Sequence, residues 1–490
     1  MQLNTFVKSI RDKMRMDAGI SGDAQRIEQI TWLLFLKIYD AKEQEWEILE
    51  DDYRSIIPDR FRWSKWAVDN KDGKALTGPD LLKFVNDELF PTLKKLSVDE
   101  YTPAKQAVVK SVFQDINNYM KDGVLLREVV NIIDSIDFTS FSERHAFNDI
   151  YESILKELQS SGDSGEFYTP RAVTDMMVKL VDPKLGESIA DFACGTGGFL
   201  TSSLKHLSEQ VETSKDRNAY GSSIYGIEKK AFPYLLCITN MILHDVDNPM
   251  VIHGNTLEKN VRDYGEEDKF DVVLMNPPYG GSESESVKIN FPQDLRSSET
   301  ADLFVDVIMY RLKRNGRAAV ILPDGFLFGS DVKKNIKRKL MTEFNLHTVV
   351  RLTNDVFAPY TSIRTNILFF DNKGKTEGTW FYRVDMPEGY KHFSKTKPIK
   401  LEHLQCVIDW WNNREEIIID EHPKSKYYTF EEIRDGGFNL DLCGFPQEVN
   451  EILPPDEVIR NYRQQRSELT SKIDAILDEI ESILEGAKNA

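Results

Sequence analysis

Positive charge is in short supply in this chain. Its 490 residues carry 62 Lys and Arg against 80 Asp and Glu, a net charge of −18. A protein that grips a nucleic-acid backbone alone needs clustered cations to displace counterions from phosphate. The balance therefore leaves two routes to DNA, a local basic surface or a partner that supplies most of the contact. Lys333, Lys334, Lys337, Arg338 and Lys339 form the local candidate; such a run is more often an ordinary solvated helix face. Cysteine is also scarce. Cys194, Cys237, Cys406 and Cys443 form no CxxC pair, so neither a zinc site nor a disulfide framework is indicated. The eight histidines lack HxxxH or HExxH spacing, which leaves no case for a metal centre. No run approaches the ~20 apolar residues that span a bilayer, and the start, Met1 to Lys8, has no signal-peptide core. The expected location is the cytoplasm, with no membrane partner.

What is present divides the chain into three textures. Residues 1–158 read as a helical domain: Ile27, Ile30, Leu33, Leu34, Leu36 and Ile38 recur at roughly helical spacing within Ala24–Leu49, and further helices are expected near Pro79–Leu96, Pro103–Asn118 and Phe147–Leu158. No catalytic pattern falls there, so a scaffold or docking role is expected. After the loop Ser160–Gly165, residues 159–445 alternate short apolar strands with helices. The expected strands are Ser188–Phe192, Ile224–Ile227, Met250–His253, Phe270–Met275, Arg317–Leu322, Leu346–Leu352 and Thr365–Phe370, with helices such as Ala231–Leu243 and Asp302–Lys313 between them. That alternation predicts an α/β fold with a doubly wound, mostly parallel, Rossmann-like sheet, whose ligands sit outside the carboxyl ends of the strands. In residues 446–490, Leu469, Ile473, Ile476, Ile480 and Ile483 step by four and three. This is a short heptad seam, coiled-coil-like and suited to docking on a partner.

The most informative tetrapeptide is Asn276-Pro277-Pro278-Tyr279, directly after the strand Phe270–Met275. It suits methylation of a planar amine. Such an amine is a poor nucleophile because its lone pair is delocalised into the ring. A pocket that accepts hydrogen bonds from both of its N–H groups draws the nitrogen toward sp³ geometry. The Asn276 side-chain oxygen and the Pro277 carbonyl can be the two acceptors. Consecutive prolines fix the backbone, so the acceptors are in place before substrate arrives. Tyr279 offers a ring face to an extruded base, and Phe304 and Phe328 are candidates for a second face, although core packing is the plainer reading of both.

A strand ending at Asp191 leads into Phe192-Ala193-Cys194-Gly195-Thr196-Gly197-Gly198, a glycine-rich turn that opens a helix. Glycines allow positive φ and close approach of backbone to ligand. Leu200 stands where the third glycine of the dinucleotide fingerprint belongs, and the acidic Asp191 suits a cationic, sulfonium-bearing ligand better than a pyrophosphate. Glu228 ends the next strand, where a carboxylate can hold both ribose hydroxyls of an adenosine; alone it would read as a surface acid. Asn255 and Thr256, after the third strand, can read an adenine edge or simply form a turn. In Glu166-Phe167-Tyr168-Thr169-Pro170-Arg171 the aromatic pair can cover a cofactor, while Thr169-Pro170 starts a helix. The four motifs in this order are far more specific than any one of them.

Together these residues resemble the modification subunit of type I restriction–modification systems, a family of N6-adenine DNA methyltransferases that use S-adenosylmethionine. Gly316–Phe328 and Thr365–Phe370 are similar too, and the resemblance covers nearly the whole chain. It implies a cofactor held by residues matching Glu166–Arg171, Thr196–Gly198 and Glu228. It also implies a flipped adenine in double-stranded DNA as substrate, two modification subunits bound to one DNA-specificity subunit, and a restriction subunit that joins them. The specificity subunit would then do most of the base reading, which accounts for the acidic charge. Many members carry Phe where this chain has Tyr279; either ring can stack. Two other readings stay open at this point. One is a methyltransferase of RNA adenine or protein glutamine, although neither needs the helical prefix or the terminal heptad. The other is a non-catalytic assembly subunit, against which the complete motifs argue.

Overall fold

A computed structural model describes residues 3–69, 75–139, 141–158, 168–394, 396–419, 422–444 and, with interruptions, 459–477. The chain separates into two compact units, Met1–Gly444 and Phe445–Ala490.

In the first unit the amino-terminal part is helical. Its central helix, Asp23–Leu49, buries residues around most of its circumference, Trp32, Leu33, Leu34 and Phe35 among them. A helix with so little polar face must be surrounded. It packs against Ala231–Leu243, a crossover helix of the sheet that is itself buried nearly all round. The Tyr151 hydroxyl donates to the Leu236 carbonyl (3.0 Å), and the Lys42 ammonium reaches Asp247 (2.9 Å). One apolar cluster therefore runs from the helical region through helix Ala231–Leu243 to Cys194 in the glycine turn. The helical prefix backs the turn rather than standing apart from it.

Among the described residues the sheet has ten strands: β1 Ile189–Asp191, β2 Ile224–Glu228, β3 Val251–His253, β4 Phe270–Met275, β5 Leu312–Pro323, β6 Asn345–Arg351, β7 Thr365–Asp371, β8 Gly378–Arg383, β9 Ile417–Ile419 and β10 His422–Thr429. Their order is β3-β2-β1-β4-β5-β7-β6-β8-β10-β9. The five strands from β3 to β5 are mutually parallel, as expected. All seven expected strands are present. β7 inserts antiparallel between β5 and β6, and the sheet continues through β8, β10 and β9, three strands the sequence reading did not anticipate. After β3 the chain returns to the other side of β1 to form β4. The order reverses there, and a crevice opens at the carboxyl ends of β1, β2 and β4.

Two buried cations settle local questions. Arg311, at the end of helix Thr300–Arg311, lies 4.3 Å from the Phe192 ring centroid, 4.7 Å from Tyr264, 5.0 Å from Phe270 and 5.2 Å from Tyr225, and donates to the Asp268 carbonyl (3.0 Å). Desolvated cation–π contacts reach about 2 kcal/mol. Arg311→Leu should therefore lower unfolding free energy by about 2–3 kcal/mol in chemical denaturation, with Arg311→Lys recovering part of it. The basic run at 333–339 is largely structural. Lys333 pairs with Glu299 and Asp302 (2.8 Å each). Lys337 is buried and donates to the carbonyls of Leu327 (2.6 Å) and Gly329 (2.9 Å), and burial with its neighbour Lys333 pushes its ammonium down to about 8. Lys339 sits over the Tyr310 ring at 4.2 Å. Of the five, Lys334 and Arg338 are exposed, on helix Val332–Glu343.

No helix among the described residues is long and apolar enough to cross a membrane. In the second unit, the described residues between 459 and 477 are helical, and Leu469, Ile473 and Ile476 of the heptad seam are exposed. Ile480 and Ile483 lie outside the described residues.

Candidate active site

β1 delivers Asp191 to the crevice, and the turn that follows must reverse within six residues to start helix Gly198–Ser208. Gly195 (φ 54°) and Gly197 (φ 82°) take the left-handed conformation this requires. A Cβ on Gly197 would also lie 2.9 Å from the Cys237 sulfur, and one on Gly198 would lie 2.7 Å from the Arg171 Nη1. The turn is therefore locked from behind by helix Ala231–Leu243, whose Asn240 donates to the Thr196 carbonyl (3.2 Å), and by Arg171.

Two carboxylates face the cavity beside this turn. Glu228, at the end of β2, accepts from the Gly195 N–H (2.9 Å) and the Lys230 N–H (2.7 Å). Asp191 accepts from the Ala193 N–H (3.1 Å). Both are buried. Burial raises the pKa of Glu228 above the ordinary carboxylate range. Burial, reinforced by the Glu228 charge, pushes Asp191 up to about 8. Two neighbouring carboxyls that resist ionisation form a site that gains from a positively charged ligand.

β4 brings the second half. Asn276 follows Met275, and its amide is held at both ends: Nδ2 donates to the Thr169 hydroxyl (3.1 Å), and Oδ1 accepts from the Tyr279 hydroxyl. The Tyr279 ring stands edge-on to Phe357, centroids 6.4 Å apart. The following loop is pinned to the start of helix Thr300–Arg311. The Thr300 N–H donates to the Gly281 carbonyl (3.1 Å), and its hydroxyl donates to Glu283 (3.0 Å).

These parts line one cavity of about 270 Å³. Of the residues singled out by sequence, it gathers Thr169, Asp191, Ala193, Gly195, Gly198, Glu228, Asn255, Thr256, Asn276, Pro278 and Tyr279. Others stand elsewhere. Pro277 is buried and its neighbours Asn276 and Pro278 line the cavity. Thr196 and Gly197 form the back of the turn. Tyr168 packs into the helical core. Arg171 makes a two-point ion pair with Glu152 (Nε to Oε2 2.6 Å) and lies 5.8 Å from the Tyr168 ring centroid, and its remaining Nη1 is buried against Gly198 without a hydrogen-bond partner. Pro170 precedes helix Arg171–Val181. Glu166 and Phe167 lie outside the described residues. The Thr256 hydroxyl donates to the Phe192 carbonyl (2.6 Å), and the Asn255 oxygen accepts from the Leu257 N–H (3.2 Å). Both side chains thus shape the turn as well as the wall. Phe304 lines the cavity, whereas Phe328 is exposed and does not.

Sequence reasoning missed Lys229, Lys230, Glu283 and Thr300, all of which line the cavity. Glu283 falls in a Gly- and Ser-rich stretch that reads as plain loop, and nothing local marks Thr300 before the fold brings it against Gly281. Among the described residues no cluster of His, Cys, Asp or Glu could hold a metal ion.

Residues 142–451 match the N-6 DNA methylase family, and residues 3–133 match the HsdM N-terminal domain. Over the full length of both chains, the sequence is 48% identical to the type I restriction enzyme EcoEI methylase subunit of Escherichia coli. It is 28% identical to the StySPI methylase subunit of Salmonella potsdam, over 80% of this chain and 73% of that one. A chain from a solved type I R-M system, described in terms of complex assembly and conformational transition, superimposes with a TM-score of 0.80 at 33% identity, over 98% of both chains.

Proposed function

The chain belongs to the family of type I restriction-enzyme methylase subunits, and on that premise we propose how it works: as the site-specific DNA adenine N6-methyltransferase of its complex, with the cavity between Asp191 and Asn276 as the place of methyl transfer. The observation that carries this reading is the meeting of two motifs far apart in sequence. The glycine turn with its two carboxylates and the Asn276–Tyr279 loop line the same cavity.

The donor set fits S-adenosylmethionine. Asp191 and Glu228 are buried carboxylates suited to a cationic nucleoside, and Leu257 and Phe304 offer apolar wall to its base. When bound, that cofactor supplies an electrophilic methyl group on a sulfonium. The remaining work falls to the chain. Glu228 holds the ribose hydroxyls, and Asp191 answers the ligand's positive charge. Gly195 to Gly198 let the backbone come close. Thr169 lines the same cavity. On the other side, an adenine rotated out of the duplex stacks on Tyr279. Asn276 Oδ1 and the Pro277 carbonyl accept its two N6 hydrogens. Positioning and preorganised hydrogen bonds supply the acceleration. No strong base is required, because an N6 ammonium sheds its proton readily.

The net charge of −18 and the structural use of Lys333, Lys337 and Lys339 support a partner that carries most of the DNA contact. We assign that part to a DNA-specificity subunit bound by two copies of this chain, with the exposed seam Leu469, Ile473 and Ile476 as a docking element and a restriction subunit joining the assembly in the cytoplasm. The test is transfer of a tritiated methyl group to DNA that lacks N6-methyladenine, with and without the specificity subunit. N6-methyladenine should form only when that subunit is present. Label appearing in RNA or protein while DNA stays unmarked would overturn the reading.

A further inference from the structure

An asparagine side chain is nearly the same shape whichever way its amide faces, yet only one orientation serves amine methylation. Oδ1 must face the substrate nitrogen; turned over, Asn276 would present two N–H donors to an amine that is itself a donor. Something must choose. In the structure the choice is made by two hydroxyls from different segments: Thr169, which precedes helix Arg171–Val181, takes Nδ2–H (3.1 Å), and Tyr279 gives its O–H to Oδ1. Sequence reasoning placed Thr169 with the cofactor, and it does line the cavity. Its hydroxyl, however, accepts from the Asn276 amide.

We propose that Thr169 is a positioning residue for methyl transfer, holding the Asn276 amide with Oδ1 toward the substrate, and that the Tyr279 hydroxyl keeps the place on Oδ1 that the N6 amine takes over. This rests on the reading of Asn276 given above. It gives the amino-terminal motif a second task, which is to couple the cofactor wall to the catalytic loop. It also gives a Tyr rather than a Phe at position 279 a consequence: its ring can stack as a Phe would, but its hydroxyl competes with the incoming amine for the same oxygen.

The test uses the full chain assembled with its specificity subunit, tritiated S-adenosylmethionine and unmethylated genomic DNA, alongside cofactor binding by equilibrium dialysis. Thr169→Val keeps the shape and removes the hydroxyl. It should lower single-turnover transfer roughly ten- to hundred-fold and leave cofactor affinity within about two-fold, as expected of a lost hydrogen bond that orients another group. Thr169→Ser restores the hydroxyl and should recover most of the rate. Tyr279→Phe, which keeps the ring, should raise apparent affinity for DNA about two- to ten-fold, the scale of one hydrogen bond no longer in competition. A Thr169→Val enzyme that loses cofactor affinity in step with rate would make Thr169 a cofactor ligand only and overturn the proposal. So would a Ser variant no better than the Val variant. Asn276→Ala separates the two levels: if it remains active, the reading of Asn276 has failed, and if it is dead while Thr169→Val is normal, only the present inference has.

Discussion

Replacing Asn276 with Ala should lower methyl transfer about a hundred- to a thousand-fold, the range seen when one preorganised hydrogen-bonding group is removed from a reacting centre. Cofactor affinity should change by no more than about two-fold, because the interactions proposed for the cofactor lie on Asp191, Glu228 and the glycine turn and not on this amide. The logic is differential: the acceptor matters most as the nitrogen gives up its conjugation, so its loss appears in the chemical step and not in ground-state binding. Single-turnover transfer of tritiated methyl and equilibrium dialysis of the cofactor measure the two quantities separately. A variant that transfers at near-normal rate, or one that fails only because it no longer binds cofactor, would remove Asn276 from the catalytic role. Asn276→Asp should fall between, since it keeps an acceptor but gives up the N–H that Thr169 receives.

How much of this was legible beforehand follows from the range of each interaction. β1, β2, β4 and helix Ala231–Leu243 are apolar runs of the right period bounded by turn residues, and their chemistry is local. The glycine turn and the Asn276–Tyr279 loop were legible for the same reason, since each is a short segment whose backbone demands are written in adjacent residues. β8 and β10 were not. β10 carries Pro423 and two lysines, and both strands take their place from their neighbours in the sheet: β8 is held between β6 and β10, and β10 between β8 and β9. The roles of Arg171 and Thr256 were hidden too. Arg171 had the look of a ligand-facing cation in a cofactor motif. Its guanidinium is instead committed to Glu152, some twenty positions upstream in the helical region, and braces Gly198 from behind. Thr256 could equally read an adenine edge or form a turn, and its hydroxyl donates to the Phe192 carbonyl. A sequence displays which groups can make bonds; tertiary structure decides which of them are already made.

The carboxylate pair leads to the second large effect. Glu228→Ala should weaken S-adenosylmethionine binding about a hundred-fold, in line with charge-assisted hydrogen bonds worth roughly 1.5–3 kcal/mol each. The pH dependence of that binding belongs mainly to Asp191. Burial, with Glu228 alongside, raises its pKa from 3.8 to about 8 in the ligand-free protein. Near neutrality it therefore carries a proton that a cationic ligand must expel. Affinity should rise with pH up to about 8 and then level, with a slope approaching one proton per ligand. The cofactor's α-amino group titrates in the same range, so the informative quantity is the difference between the wild-type profile and that of Asp191→Asn. Stability should move the other way. Between 3.8 and about 8 the folded protein holds a proton that the unfolded chain releases, so this group's contribution to ligand-free stability falls as pH rises through that window and is at its lowest above about 8. Asp191→Asn should accordingly melt higher than the wild type at pH 8 in the absence of cofactor while binding the cofactor more weakly, with the gap in melting temperature narrowing toward pH 4. A variant that loses stability and affinity together at every pH would mean that Asp191 serves as a structural strut for the glycine turn, accepting from Ala193, and that the ligand's charge is met elsewhere.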